Sequence, residues 1–488
     1  MPITMSKSRF IRGHRCPLML WNYCFRQELA APTDQATQTR IEGGYEVGEL
    51  VRKRYPGVLV EADHRHPQEA LAETVRLLQD PSVNVIHEAA FEFQGTLVRT
   101  DVLVRAGQVW NLIEAKAVLI TKDTYPLDAA FQRWVAVGAG LAVGTTSLLV
   151  LNRDYRYAGG EHNLGTLFRI VDISEEAEAL APSIESELQR LQVLLQRPDA
   201  PKVLPGPQCV DQYECLFLGP CTKDWPKVPT PVDWMWNIGK GKKLGLHAQG
   251  IHHLADLPVR GLSAKQLQIM ACYGENQPWV DQGLAAAMQG LVPPIHFLDF
   301  ESYASAIPKL IGAAPYEATP IQWSCHTLHA DGQLTHQEFL AEGNADPRAP
   351  FAESLIRALA GPGSICVYSH FERRILKATA QALPHLGAEL RAITGRLVDL
   401  LKIIQAHVYL PGFRGSYSIK SVLPAMAPGF GYGHLNIQQG LAAGDAFAQM
   451  LMEPDAALRN GLREDLLRYC AQDTLAMVEI LRRLKEIA

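Results

Sequence analysis

The sequence predicts an α/β chain of several domains, with two α/β segments separated by a short helical one. Its 488 residues exceed what a single core usually organises, so two or three domains are expected. Apolar and polar residues alternate at 96–116 and again at 295–301, as strands do, and helical periodicity follows each stretch. Two proline-rich breaks, Trp225-Pro-Lys-Val-Pro-Thr-Pro231 and Leu291-Val-Pro-Pro294, punctuate the chain. They set the expected domains at 1–225, 226–290 and 291–488.

Composition narrows the class. Hydrophobic residues make up 47% and charged residues 20%, which fits packed domains rather than disorder. The formal net charge of −5 demands no polyanionic partner. Acidic metal sites can offset basic grooves, so basic stretches must be sought locally. The N-terminus is basic (Lys7, Arg9, Arg12, Arg15) with no apolar run behind it, so no secretory leader is expected. No uninterrupted apolar run reaches the roughly 20 residues that span a bilayer. The most apolar stretch, Ala136 to Leu151, carries Gly138, Gly140 and Gly144 and reads as a helix end followed by a buried strand. Nine cysteines without a leader point to free thiols or metal ligands. A cytoplasmic chain with no membrane partner is expected.

The first candidate site lies on a hairpin. Residues 96–105 alternate with Asp101 mid-strand, Ala106-Gly-Gln108 turns, and residues 109–116 end in Glu114 and Lys116. Side chains repeat every second residue on a strand, so Glu114 and Lys116 share a face and the hairpin can bring Asp101 beside them. Two carboxylates can hold Mg2+, which polarises a phosphate, and a lysine adds a fixed positive charge. The plain alternative is a surface hairpin with a salt bridge. A helical stretch, Pro126 to Trp134, and a buried strand, Leu148 to Leu151, follow.

This order resembles the PD-(D/E)XK nuclease superfamily, most closely its RecB-like branch. The resemblance implies that fold for 1–225, with Asp101 and Glu114 as Mg2+ or Mn2+ ligands, Lys116 in catalysis and Gln132 assisting from the helix. The branch often adds a histidine from an early helix. The corresponding stretch here, Gly44-Tyr-Glu-Val-Gly-Glu49-Leu, has none, which leaves Glu49 or Glu88 as substitutes.

Cys209, Cys215 and Cys221 follow a Cys-x5-Cys-x5-Cys pattern, and Cys16 stands at the other end of the same segment. One early and three late cysteines around a nuclease core resemble the iron–sulfur staple of the RecB-like branch, which implies a [4Fe-4S] cluster on four thiolates. A zinc site and packed thiols are the alternatives. Zinc favours Cys-x2–4-Cys pairs, so the wider spacing disfavours it. Cys24 competes as the early ligand but is expected to pack. Cys272, Cys325, Cys366 and Cys470 are isolated and read as core residues.

The middle segment carries Gly239-Lys-Gly-Lys-Lys243 and then Leu246 to Leu257, read as a helix, a Gly250-Ile251 turn and a second helix. That pattern resembles a helix-hairpin-helix DNA-binding motif; a plain helical linker is the alternative. Lys240, Lys242, Lys243 and Lys265 suit a phosphate backbone. His247, His252 and His253 suggest either a metal site or, as the preferred reading, exposed side chains.

The second candidate site begins at His296-Phe-Leu-Asp299-Phe-Glu301, where alternation puts both acids on one face of a buried strand. Burying two carboxylates costs several kcal/mol unless a cation compensates. Far downstream, Tyr469-Cys-Ala-Gln-Asp473 sets a tyrosine and an aspartate one helical turn apart. Between them, Ile365 to His370 reads as a strand, and Glu372 opens the following helix.

This order resembles the DEDD exonucleases, an RNase H-like family. The resemblance implies Asp299, Glu301, Glu372 and Asp473 as ligands of Mg2+ or Mn2+, with Tyr469 orienting or deprotonating water. The second motif normally presents aspartate, and Glu372 takes its place. Asp399 is a rival or additional ligand. Arg414 and Lys420, in a stretch that resembles the family's segment between motifs, are candidate phosphate contacts, with plain surface solvation as the alternative.

Taken whole, the chain resembles a bacterial family that fuses a RecB-like nuclease to a DEDD-type domain. The resemblance implies hydrolysis of nucleic-acid phosphodiester bonds, with DNA ahead of RNA as partner. The alternatives are one active module beside a binding platform, or a non-catalytic nucleic-acid-binding scaffold.

Overall fold

In the computed structural model the alternating stretch 96–116 becomes a long antiparallel hairpin inside a seven-stranded mixed sheet. The structure describes residues 3–62, 65–120, 124–211, 213–433, 435–437 and 440–488. Two units emerge: Met1–Asp224 with the short segments Ser305–Pro308 and Ala314–Tyr316, and Trp225–Ala304 with Lys309–Ala313 and Glu317–Ala488.

The strands of the first unit are β1 (Met5–Ser6), β2 (Val58–Leu59), β3 (Val85–Phe93), β4 (Thr96–Ala106), β5 (Val109–Lys116), β6 (Val143–Leu151) and β7 (Phe168–Asp172). They run in the order β2-β3-β4-β5-β6-β7, with β1 beside β4. The meander β3-β4-β5 is antiparallel, and β5 pairs with β6 in parallel. A parallel pair needs a crossover, which the helix Thr124–Gly138 supplies. One face of the sheet packs Ile86, Leu103 and Leu112 against Phe10, Phe131, Leu188 and Leu191 of the helices.

The segment 226–290 is helical and belongs to the second unit. Its helices are Lys240–Ala248, Ala264–Glu275 and Gly283–Gln289. The helix expected straight after Gly250-Ile251 is instead one 3-10 turn, Leu254–Asp256. A bridge between His253 and Pro231 holds the backbone extended there, and Pro258 follows. The exposed histidines of the sequence reading are also corrected. His247 is buried, stacked 4.5 Å from Trp225 and bonded to Asp233 Oδ2 at 2.6 Å and His252 Nδ1 at 2.9 Å. His252 and His253 are half-buried.

Strand β8 (Trp279–Val280) forms a small ladder with a late strand, described below. The main sheet of this unit consists of β9 (Ile295–Tyr303), β10 (Thr319–Leu328), β11 (Leu334–Leu340), β12 (Ile365–Val367) and β13 (Leu397–Asp399). Its order is β11-β10-β9-β12-β13. The first three strands form an antiparallel meander, and β12 and β13 continue it in parallel. The late strand β14 (Val408–Tyr409) pairs with β8.

Central β9 has two covered faces. Leu298 and Phe300 join a core with Phe351, Leu355 and Leu376. Phe297 and Tyr303 join another with Leu466, Tyr469 and Leu481 of the long helix Ala456–Ile487. Asp299 and Glu301 fall in the same alternation as Phe297 and Tyr303, so they face that helix. Among the described residues no helix is long and apolar enough to cross a membrane.

Candidate functional site

In the first unit, β4 and β5 bring Asp101 and Glu114 together. Asp101 Oδ2 accepts the Ala115 N–H at 2.7 Å, next to Glu114. Glu114 is 1% exposed, and both its oxygens are engaged. Oε1 accepts from Lys116 at 2.8 Å and from Lys7 at 2.7 Å, while Oε2 accepts the Gln132 amide at 2.6 Å. Lys116 also pairs with Asp128. Burial alone would raise the Glu114 carboxyl, but the Lys7 and Lys116 ammoniums overcome it and hold it below the usual carboxylate range. Burial, then the Glu114 charge, push Asp101 up. Gln132 Oε1 has no hydrogen-bond partner.

Asp101, Glu114 and Lys116 line a cleft together with Glu49, Glu88 and His87. Glu49 pairs with Arg52, and Glu88 pairs with Arg99 at 3.1 Å. Glu88 is held at φ 57°, in the left-handed region, where the β3–β4 ladder skips one pair without changing register. His87 faces two carbonyls, Tyr55 O at 2.7 Å and Asp101 O at 3.3 Å.

Cys16, Cys209, Cys215 and Cys221 line one small cavity. Cys24 is not in its lining and packs against the core instead. Arg15 fastens the early cysteine to the late loop: its guanidinium donates to Gln208 O at 2.7 Å and Tyr213 O at 2.5 Å. Burial pushes the thiols of Cys16 and Cys215 up, and that of Cys221 up to about 11. Among apolar walls, the raised Cys16, Cys215 and Cys221 thiols stay neutral unless a positive charge ionises them. Among the described residues, no three of these sulfurs lie within 4.8 Å of one another.

In the second unit, Asp299 and Glu301 of β9 meet Asp473 of the helix Ala456–Ile487. Among the described residues, these are the three His, Cys, Asp or Glu side chains whose ligand atoms all lie within 4.8 Å of one another. Burial, then the Asp473 charge, push Asp299 and Glu301 well above the ordinary carboxylate range. Glu372, the second residue of the helix Phe371–Ala382, is buried, with Oε2 lacking any hydrogen-bond partner. Burial and the nearby Asp399 and Asp473 charges push it up to about 8. The three crowded carboxylates fit a hard divalent cation, whose preferred ligands are oxygens, whereas Glu372, an expected ligand, lies outside their 4.8 Å grouping.

Aromatic hydroxyls and one ammonium border this trio. Tyr432 O–H donates to Asp473 Oδ1 at 2.5 Å. Lys420 Nζ donates to the Tyr469 hydroxyl at 3.4 Å and lies 5.2 and 5.3 Å from the rings of Tyr432 and Tyr469. Burial and the Asp473 charge hold the Tyr469 hydroxyl protonated, well above its usual pKa. Asp399 falls outside the trio. It ends β13 and caps the helix Leu400–His407, accepting the Lys402 N–H at 3.4 Å. Arg414 is exposed and lies over the Trp234 ring at 5.4 Å.

Residues 296–418 match a domain of unknown function, DUF2779. The match takes in Asp299, Glu301, Glu372 and Asp399 and ends before Tyr432, Tyr469 and Asp473. No curated protein matches the chain.

Sequence reasoning missed Lys7, Asp128, Tyr432 and Cys470 as neighbours of these sites. The Cys470 thiol, read as a core residue, lies 3.6 Å from Asp299 Oδ2. Its place between Tyr469 and Asp473 was the available signal. For Tyr432 and Asp128 no sequence pattern marks the contact.

Proposed function

We propose that this chain is a metal-dependent nuclease with two candidate sites, a 3′–5′ exonuclease of DEDD type in the second unit and a PD-(D/E)XK site in the first. The observation that carries the reading is the convergence of Asp299, Glu301 and Asp473 on one point bordered by Tyr469. The antiparallel meander continued by two parallel strands supports an RNase H-like fold for the second unit. The hairpin with its parallel crossover strand supports a RecB-like fold for the first.

Asp299, Glu301, Glu372 and Asp473 would hold Mg2+ or Mn2+ in the second site, and Asp101 and Glu114 would do so in the first. A divalent cation supplies Lewis acidity toward a phosphoryl oxygen and acidifies water. The protein's own groups do the rest. Tyr469, protonated and next to Lys420, orients the attacking water by accepting or donating one hydrogen bond. Lys420 offsets phosphate charge at the mouth of the site. In the first site Lys116 provides the fixed cation that meets charge developing on phosphate. Digestion of end-labelled DNA and RNA strands in Mg2+ or Mn2+ tests the reading. A ladder from a 5′-labelled strand that vanishes when the 3′ end is blocked is expected. No cleavage of any strand would overturn it.

The four-cysteine cavity supports a [4Fe-4S] cluster as the staple of the first unit. Anaerobically purified protein should be brown and contain iron and sulfide. Cys209→Ala, Cys215→Ala and Cys221→Ala should each bleach it and lower the melting temperature of the first unit, whereas Cys24→Ala should keep the colour. Stoichiometric zinc without iron after anaerobic preparation would rule the cluster out.

A further inference from the structure

Lys7 is the first residue of the helix Lys7–Arg15, a position where a cation is opposed by the positive end of the helix dipole. Something else must hold it there. Its ammonium, 2.7 Å from Glu114 Oε1, shares that oxygen with Lys116 at 2.8 Å. Asp101, Glu114 and Asp128 are the carboxylates whose charges act on Lys7. The contact is part-buried, with the Lys7 side chain 28% exposed and that of Glu114 1% exposed.

The backbone that delivers Lys7 is fixed on every side. Strand β1 pairs with Thr96 and Leu97 of β4 immediately before it. Ser6 Oγ caps the helix by accepting the Arg9 N–H at 3.3 Å. Phe10 stacks 4.2 Å from Phe131, the neighbour of the Gln132 that holds the other oxygen of Glu114. At Gly13 a Cβ would meet the methyl ends of Leu191 at 2.6 Å and of Leu20 at 2.8 Å, so those side chains would have to shift to admit one. The far end of the helix is Arg15, clasped to the late cysteine loop.

We infer that Lys7 is a positioning residue of the first site, which sets how tightly Asp101 and Glu114 hold a divalent cation and fixes the Glu114 carboxylate for the reaction. The inference rests on the reading that this site takes such a cation. Two ammoniums on one carboxylate oxygen oppose an incoming cation, and each also holds that carboxylate in one orientation. Removing Lys7 leaves Asp101, Glu114 and Asp128 facing Lys116 alone. A cation should then bind more tightly, while a looser Glu114 should serve the reaction less well. A merely structural role would weaken both.

The test uses the full chain carrying Asp299→Asn and Asp473→Asn, which silences the second site, titrated with Mn2+ and followed by electron paramagnetic resonance. Lys7→Met and Lys7→Gln should each bind Mn2+ about tenfold or more tightly than the parent. Their cleavage rate at saturating Mn2+ should drop at least about tenfold. Lys7→Arg, which keeps the charge, should stay near the parent in both. Glu114→Gln should lose the Mn2+ signal of this site. If both neutral Lys7 variants bind Mn2+ like the parent while Glu114→Gln has lost it, Lys7 has no such role and the metal site stands. If the parent shows no Mn2+ signal that Glu114→Gln removes, the reading of the first site fails and takes the inference with it.

Discussion

Asp299→Ala or Asp473→Ala should abolish metal-dependent shortening of a 5′-labelled strand, with a loss of a thousandfold or more. Cation chemistry contributes several kcal/mol to the transition state, and about 4 kcal/mol is already roughly a thousandfold. Removing either carboxylate opens the converging trio, so a cation held there should be lost and not merely shifted. Tyr469→Phe should keep the cation and lose only the hydroxyl, a cost of about 10²–10⁴-fold for a positioned acid–base group. Tyr432→Phe removes one hydrogen bond to Asp473 and should cost less than either. Cleavage that depends on Asp101 and Glu114 should persist in all four variants. Wild-type ladders from the Asp299→Ala and Asp473→Ala proteins would sink the assignment of this site.

Stability of the second unit should fall as pH rises when divalent cations are chelated. The folded Glu372 carboxyl is raised from 4.5 to about 8, so the folded state binds a proton that the unfolded chain has released between those values. Its contribution is fully present below about pH 4.5 and is lost as pH climbs through 8. Asp299 and Glu301 are raised too and add to the same slope. For Glu372 alone the change is on the order of 3–5 kcal/mol. Glu114, held low in the first unit, has the opposite sign and loses stability as pH falls, so a probe local to β9 is required. Hydrogen exchange of the β9 amides, corrected for intrinsic rate, provides it. In chelator, protection should decline from pH 5 to pH 8. Saturating Mg2+ should flatten that decline, and Glu372→Gln should reduce it without metal. Equal slopes with and without cation would show that no cation neutralises these acids.

Much of this was legible because it depends on short periods. Alternation over two residues put Asp299 with Glu301 and Glu114 with Lys116, and the strands β9 and β5 keep both pairings. The four-residue step from Tyr469 to Asp473 survives in the long helix for the same reason. Cysteine type and spacing led to the four residues that share a cavity. What the chain hides are contacts made by folding across distance. Lys7 reaches Glu114 over 107 positions, and Tyr432 reaches Asp473 over 41. No local period encodes either one. The 3-10 turn at Leu254–Asp256 was missed for another reason: a bridge to Pro231, outside any sequence window, overrode helical patterning.

The span between the strand and the helix that complete the acidic trio also sets an order in time. Cys470 meets Asp299 across 171 positions, and Asp473 lies one turn further on. A ribosome adding about 5–20 residues per second needs on the order of ten seconds or more to cover that distance. Through that interval a growing chain carries Asp299 and Glu301 without the third carboxylate. The trio therefore closes only after the helix Ala456–Ile487 has been made and has docked, long after the residues of the first site have left the ribosome.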